Sequence, residues 1–209
     1  MPIRGMPLPL RRTPPRGRED PPLPEAASPT DLRILLHAAA QGLAPLFSRP
    51  VLGAVPELAV CALADLPEAG LLPGDDMTAS VAASLDGAAA LLSFEPADAQ
   101  GLLAAAGGEG AADPLGRFTR LGASIIEGLA PAVLGAPVEA AAPRLVEDSV
   151  AAALLQTHAP ADTLLVSARL VVADETHAWG GVLYLLMDAK RRESMEAGWL
   201  SRASVAQPV

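Results

Sequence analysis

The side chains that could do chemistry are few and far apart in this chain. His37, His158 and His177 are too scattered to suggest a metal cluster, and histidines in such positions are more often structural or at the surface. The one cysteine, Cys61, sits beside a run of small apolar residues and reads as a buried hydrophobe. It has no second thiol for a disulfide, and one thiolate is too few for a cysteine-based zinc site. No nucleophile, base and orienting group fall into one set. The chain contains no asparagine, and none of Gln41, Gln100, Gln156 and Gln207 stands three residues after a glutamate. What remains is a backbone motif, Gly107-Gly108-Glu109-Gly110. It is not a phosphate loop, since no Lys-Ser/Thr follows. Adjacent glycines let the main chain approach a partner closely and expose N–H and C=O groups for pairing.

The elements that must hold this loop are legible around it. Glu95-Pro96 opens a helix, PADAQGLLAAA, that stops at Gly107-Gly108. Asp113-Pro114 or Thr119 starts a longer one through Leu121, Ile125, Ile126 and Leu129. MTASVAASL, Asp86-Gly87 and AAALLSF read as two antiparallel strands about a type I′ turn. TLLVSARLVVADETHAWGGVLYLLMD gives two more strands around a loop at Asp174 to Gly181. Earlier, Leu32, Leu35, Leu36, Ala39, Ala40 and Leu43 recur at helical spacing, with Asp31 in the first turn and an end expected near Pro45 to Pro50. VLGAVPELAVCALADL, broken by Gly53 and Pro56, suits a strand followed by a loop, and LLPGDD at 71–76 a loop.

Composition sets the limits. The chain has 209 residues, enough for one domain of ordinary size. Hydrophobic residues make up 51% but aromatics only 3%, so the core must be mostly Ala, Leu and Val. Residues 1–30 hold nine of the 21 prolines and five Arg against three acids, a composition expected to stay disordered. The whole acidic excess behind the net charge of −9 falls on the remainder, which excludes nucleic acid as a partner of the body. Prolines interrupt every apolar stretch of the leader, and no apolar run reaches the roughly 18 residues of a membrane span. A soluble, cytoplasmic chain is expected.

The two halves repeat. GLAPLFSRPVLGAVPEL at 42–58 answers GLAPAVLGAPVEAAAPRL at 128–145, with Pro50-Val51 matching Pro137-Val138, Pro56 matching Pro143 and Leu58 matching Leu145. Helix, strand, loop and hairpin follow one another twice. A repeat of two argues for a pseudo-twofold domain rather than a solenoid. The expected fold is α/β (α+β): a mainly antiparallel central sheet flanked by helices.

Over about residues 31–188 this pattern resembles the family of CheC, CheX and the middle domain of FliM. LLSFEPADAQGLLAAAGGEG resembles the FliM stretch of strand, helix and Gly-Gly-x-Gly loop, and RFTRLGASIIEGL the following helix. Leu121-Gly122 stands where that helix carries an Ile-Glu pair, so its acid is missing. After the tail over 1–30 that composition makes disordered, the resemblance implies a duplicated domain over 31–189 and, over 190–209, a C-terminal tail or a linker to an absent SpoA-type domain. It implies a non-catalytic flagellar motor-switch component that couples chemotaxis signalling to rotation. FliG would contact Gly107, Gly108, Glu109 and Gly110. Neighbouring FliM-like subunits, FliN and CheY would be further partners, at the basal body on the inner face of the membrane. No cofactor is implied.

The alternative within the family is a CheC- or CheX-type phosphatase of phospho-CheY, whose helix carries Asp/Ser-x-x-x-Glu-x-x-Asn. Glutamate and asparagine three apart share one helix face, so the amide can aim a water at the phosphoryl group. The family's register puts Asp113, Arg117 and Arg120 at these positions in the second half, and Ala26, Thr30 and Arg33 in the first. Anchoring on Glu127 instead leaves Ala123 and Ala130. No register yields the pair.

Overall fold

A computed structural model describes residues 29–65, 79–107, 112–146, 163–188 and 190–193, with Ser149, Val150 and Leu154. The Pro/Arg leader up to residue 28, the 71–76 loop, His158 and the chain after 193 lie outside the described residues. Among the described residues the helices α1 (Pro29–Gln41), α2 (Pro96–Ala105) and α3 (Pro114–Leu134) accompany six strands. The strands are β1 (Leu52–Ala62), β2 (Ala79–Leu85), β3 (Ala88–Phe94), β4 (Ala141–Val146), β5 (Leu164–Ala173) and β6 (Ala178–Met187). They form one sheet in the order β1-β5-β6-β3-β2-β4, antiparallel at every pairing.

That order carries the duplication. Exchanging β1 with β4, β2 with β5 and β3 with β6 returns the same order read from the other edge. The pseudo-dyad passes through the seam of β3 and β6 at the buried pair Leu92 and Leu183. Each edge strand is bulged at one place, between Ala54 and Glu57 in β1 and between Ala141 and Arg144 in β4. Pro56 and Pro143, the matched prolines, occupy those bulges. Proline has no N–H to give a ladder and is tolerated where an edge strand is already interrupted. Gly53 and Pro56 therefore do not break β1, as the sequence pattern suggests they should. They sit within one continuous strand.

The second hairpin is longer by four residues. Leu85 pairs with Ala88 across Asp86-Gly87, whereas β5 and β6 close at Ala173 and Ala178 and leave four residues in the turn. The expected loop at 174–181 is thus shorter, and β6 runs on through Gly180 and Gly181. At the first turn Gly87 takes a positive φ of 69° but Asp86 does not, so the turn is not type I′. Only the residue without a Cβ enters the left-handed region there.

All three helices contribute to a core on one face of the sheet. Leu32, Leu36 and Leu43 from the α1 segment, Leu102 from α2, and Ile125, Ile126 and Leu129 from α3 meet Val81, Leu92, Val166, Leu170, Leu183 and Leu185. As composition predicts, Leu, Ala and Val dominate this interior. α1 lies so close to β1 that a Cβ on Gly53 would stand 2.0 Å from the Ala40 carbonyl oxygen. The opposite face holds a smaller cluster of Leu91, Val146, Leu165, Tyr184 and Leu186, covered in part by Val150 and Leu154. There Ser80 and Ser93, paired across β2 and β3, share a hydroxyl hydrogen bond of 3.0 Å.

The equivalent helices differ at their ends. α1 stops at Gln41, earlier than its spacing suggests, and a short 3₁₀ turn follows at Ala44–Leu46. The matching Gly128-Leu129-Ala130-Pro131 stays helical, and α3 runs beyond Leu129 to Leu134 with Pro131 inside it. Gly135, left-handed at φ 75°, ends it, its N–H donating to the Pro131 carbonyl. After β6, residues 190–193 turn helical, as α2 follows β3. Asp188 caps that turn through the Arg191 N–H at 2.7 Å.

Candidate partner-binding site

Of the four glycine-loop residues, Gly107 is described. Gly108, Glu109 and Gly110 lie outside the described residues. α2 ends because its last carbonyls are taken up by a turn: the Ala106 N–H donates to the Leu102 carbonyl at 3.0 Å and the Gly107 N–H to that of Ala104 at 2.9 Å. Gly107 has φ 76°, the left-handed conformation that glycine enters without steric cost. Its carbonyl accepts from Nη1 of Arg117 on α3 at 2.9 Å. Ser48, just after α1, reaches the same corner, donating its N–H (3.0 Å) and hydroxyl (2.8 Å) to the Ala105 carbonyl. The loop thus leaves α2 from a corner held on both sides.

Its far end is held as well. The Asp113 carboxylate accepts from the Gly116 N–H at 2.9 Å and caps α3, with Pro114 in the first turn. Between the end of α2 and the first half of α3 lies an open cleft of about 300 Å³. Arg117, Arg120 and Ser124 wall it from one stripe of α3, and Leu46, Leu103 and Leu121 give it an apolar floor. Sequence reasoning counted Arg117 and Arg120 as departures from a phosphatase pattern, not as a site. The overlooked feature was their spacing of three, which places two cations on one helix face.

The remaining chemical candidates have structural roles. Glu127 accepts from the Ala140 N–H at 3.0 Å and so ties α3 to the approach to β4. His37 Nδ1 accepts from the Val55 N–H at 3.3 Å within the β1 bulge. Cys61, read from sequence as a buried hydrophobe, is half-buried on the sheet face away from the helices. Burial, with a smaller contribution from Asp65, raises its pKa. Among the described residues no cluster of His, Cys, Asp and Glu could hold a metal ion.

One polar knot joins the second hairpin to the α1–β1 connection. Asp174 accepts from the N–H groups of Thr176 at 2.8 Å and His177 at 2.7 Å, and it pairs with Arg49 Nε at 3.1 Å. The Thr176 N–H bond leads these effects, which together lower the Asp174 pKa to about 2. Arg49 also lies 5.2 Å above the Trp179 ring, while His177 stacks on Trp179 with centroids 6.2 Å apart. Asp98 of α2 accepts from the Gly180 N–H at 2.9 Å. Trp179 and Tyr184 both belong to hairpin packing, as read from the sequence.

No family model and no curated protein matches the sequence. Solved structures do match in fold. Thermotoga maritima FliY is 12% identical, with a TM-score of 0.54 over 83% of this chain and 94% of that one. The FliM middle domain of H. pylori is 11% identical, with a TM-score of 0.55 over 82% of this chain and 99% of that one. A chain in the H. pylori FliG-FliM complex is 12% identical, with a TM-score of 0.50 over 80% and 96%. The fold is that of the FliM and FliY middle domains. Among the described residues, no helix is long and apolar enough to cross a membrane.

Proposed function

We propose that the chain is a non-catalytic, FliM-like component of the flagellar motor switch. On this reading it works by protein–protein contacts in the cytoplasmic ring at the basal body, coupling chemotaxis signalling to the direction of rotation. The observation that carries it is the duplicated six-stranded fold, shared over most of the chain with FliM and FliY. FliG is assigned to the loop from Gly107 to Gly110, by analogy with the neighbour solved as a FliG-FliM complex. The pinned corner at Gly107 supports this, because a loop leaving a rigid corner loses less entropy on docking. Neighbouring FliM-like subunits, FliN and CheY are the further partners of this reading.

A phosphatase would place a carboxylate and an amide where Arg117 and Arg120 stand. Two guanidinium groups can bind a phosphoryl oxygen, but they carry donors only and have no acceptor atom with which to hold and aim an attacking water as the amide would. The scaffold reading is tested by capture of FliG on the immobilised full chain, comparing wild type with Gly108→Glu and Gly110→Glu. Loss of capture with an unchanged circular dichroism spectrum is expected, and equal capture would overturn the loop assignment. Acceleration of phospho-CheY dephosphorylation by the purified chain would replace the scaffold with an enzyme.

A further inference from the structure

The cleft beside Gly107 is charged against the sign of the protein as a whole. In a chain of net charge −9, two arginines stand three residues apart on one exposed stripe of α3. Among the described residues no carboxylate pairs with either. Arg117 spends one donor on the Gly107 carbonyl and keeps the rest of its planar fork, while Arg120 makes no described hydrogen bond. Fixing Arg117 to the corner lowers the entropy lost when a second group binds it. Between these cations and the 3₁₀ turn after α1, Leu46, Leu103 and Leu121 line the floor. The cleft has apolar ground for a side chain and charge at its rim.

We propose that this cleft receives an acidic, apolar-anchored segment of a partner protein: an apolar side chain seated on the leucines, with flanking carboxylates on Arg117 and Arg120. The chemistry stands on the cleft, and only the choice of a protein as the partner rests on the scaffold reading above. Three features select this occupant. Cβ atoms three apart on a helix lie about 5–6 Å from each other, so two carboxylates three or four residues apart on a partner helix can meet both guanidinium groups. The apolar floor offers no N–H to a bare phosphate, which needs donors on several sides. The volume of about 300 Å³ is at the bottom of the roughly 300–1,000 Å³ range of small-molecule pockets, and the cleft is open, as suits one side chain of a longer segment.

The test is a fluorescence anisotropy titration of the full chain with a short fluorescein-labelled peptide of repeated Leu-Leu-Glu-Glu. Its partner probe carries lysine in place of every glutamate. Arg120→Glu is the informative variant, because that side chain holds no described bond in the fold. Arg33→Glu, on the exposed face of α1, is the control for net charge. Arg120→Glu is expected to weaken the acidic peptide by about tenfold or more, the loss of one charge-assisted pair. Arg33→Glu is expected to change it less than about twofold, and the lysine peptide should gain affinity for Arg120→Glu over wild type. Equal affinity of wild type and Arg120→Glu for the acidic peptide would overturn the proposal, as would equal binding of both peptides to wild type. Binding that appears only after Glu109→Gln would also overturn it, by making the loop's own acid the occupant. The arginines are intact in Gly108→Glu and Gly110→Glu, so failure of the FliG assignment and failure of the cleft are read on different proteins.

Discussion

Replacing Gly53 with alanine tests the closest approach between helix and sheet. The added Cβ would stand 2.0 Å from the Ala40 carbonyl oxygen and 2.6 Å from its carbon. That carbonyl must withdraw by more than about 1 Å to restore an ordinary contact. The obstacle is main chain, so no rotamer change relieves it. Moving α1 disturbs Leu32, Leu36 and Ala40, all buried to within 1%. Overpacking of this kind costs about 1–3 kcal/mol, and the upper end applies where backbone must shift. Against it, alanine is favoured over glycine in a strand by roughly 0.5–1 kcal/mol. The net expectation is a loss of about 2 kcal/mol, or roughly 4–8 °C in Tm for a domain of this size. The second half supplies its own control, since Ala140 stands at the position equivalent to Gly53, 87 residues on. Ala140→Gly should also destabilise, by about 1.5 kcal/mol, through a lost methyl and a freer unfolded chain. Urea unfolding followed by circular dichroism, with m unchanged, measures both. Gly53→Ala within about 0.5 kcal/mol of wild type would refute the reasoning, because α1 would then be free to lift off β1.

Two titrations follow from the structure. The Asp174 carboxyl is held at about 2, below its ordinary 3.8, so its contribution to stability is present above 3.8 and lost as pH falls from there toward 2. Asp174→Asn should flatten that part of a Tm-versus-pH curve, and an unchanged acid limb would dissociate the turn from acid stability. Tyr184, the chain's one tyrosine, is buried, and desolvation pushes its hydroxyl up to about 12. Its folded pKa lies above the unfolded 10, so stability is full below 10 and declines as pH rises from 10 toward 12. Tyrosinate absorbance should therefore stay absent at pH 10 in the native protein and appear near that pH in urea. A native midpoint at 10 would place the hydroxyl in water.

The repeat and the hairpins were legible because each rests on short-range chemistry. Asp86-Gly87 marks a turn without help from the rest of the chain, and Pro56 and Pro143 mark matching places in the two copies. Why those prolines recur was not legible: the bulge that accommodates them needs a partner strand, and β1 pairs with β5 from more than a hundred residues away. The ends of the long helices fall away from where residue spacing puts them for a related reason. Gly42-Leu43-Ala44-Pro45 and its copy at 128–131 are the same four residues, yet one lies beyond a helix and the other inside it. Tertiary contacts decide between them, as where Ser48 fastens the segment after α1 to the end of α2. The corner at Gly107 follows from the glycine. The cleft beside it does not, because it joins residues from α2, α3 and the Ala44–Leu46 turn.

The strand order has a consequence for how such a domain can come apart. Each hairpin is flanked on its outer side by the first strand of the other copy, β5 by β1 and β2 by β4. The halves are interlocked, and neither owns an intact edge. A chain cut between α2 and α3 would yield two fragments, each lacking the strand that completes its hairpin, and they would fold only as a complementary pair. Damage to one copy is therefore felt as fraying in the other, and the amides of the β3–β6 seam should be the last to exchange with solvent.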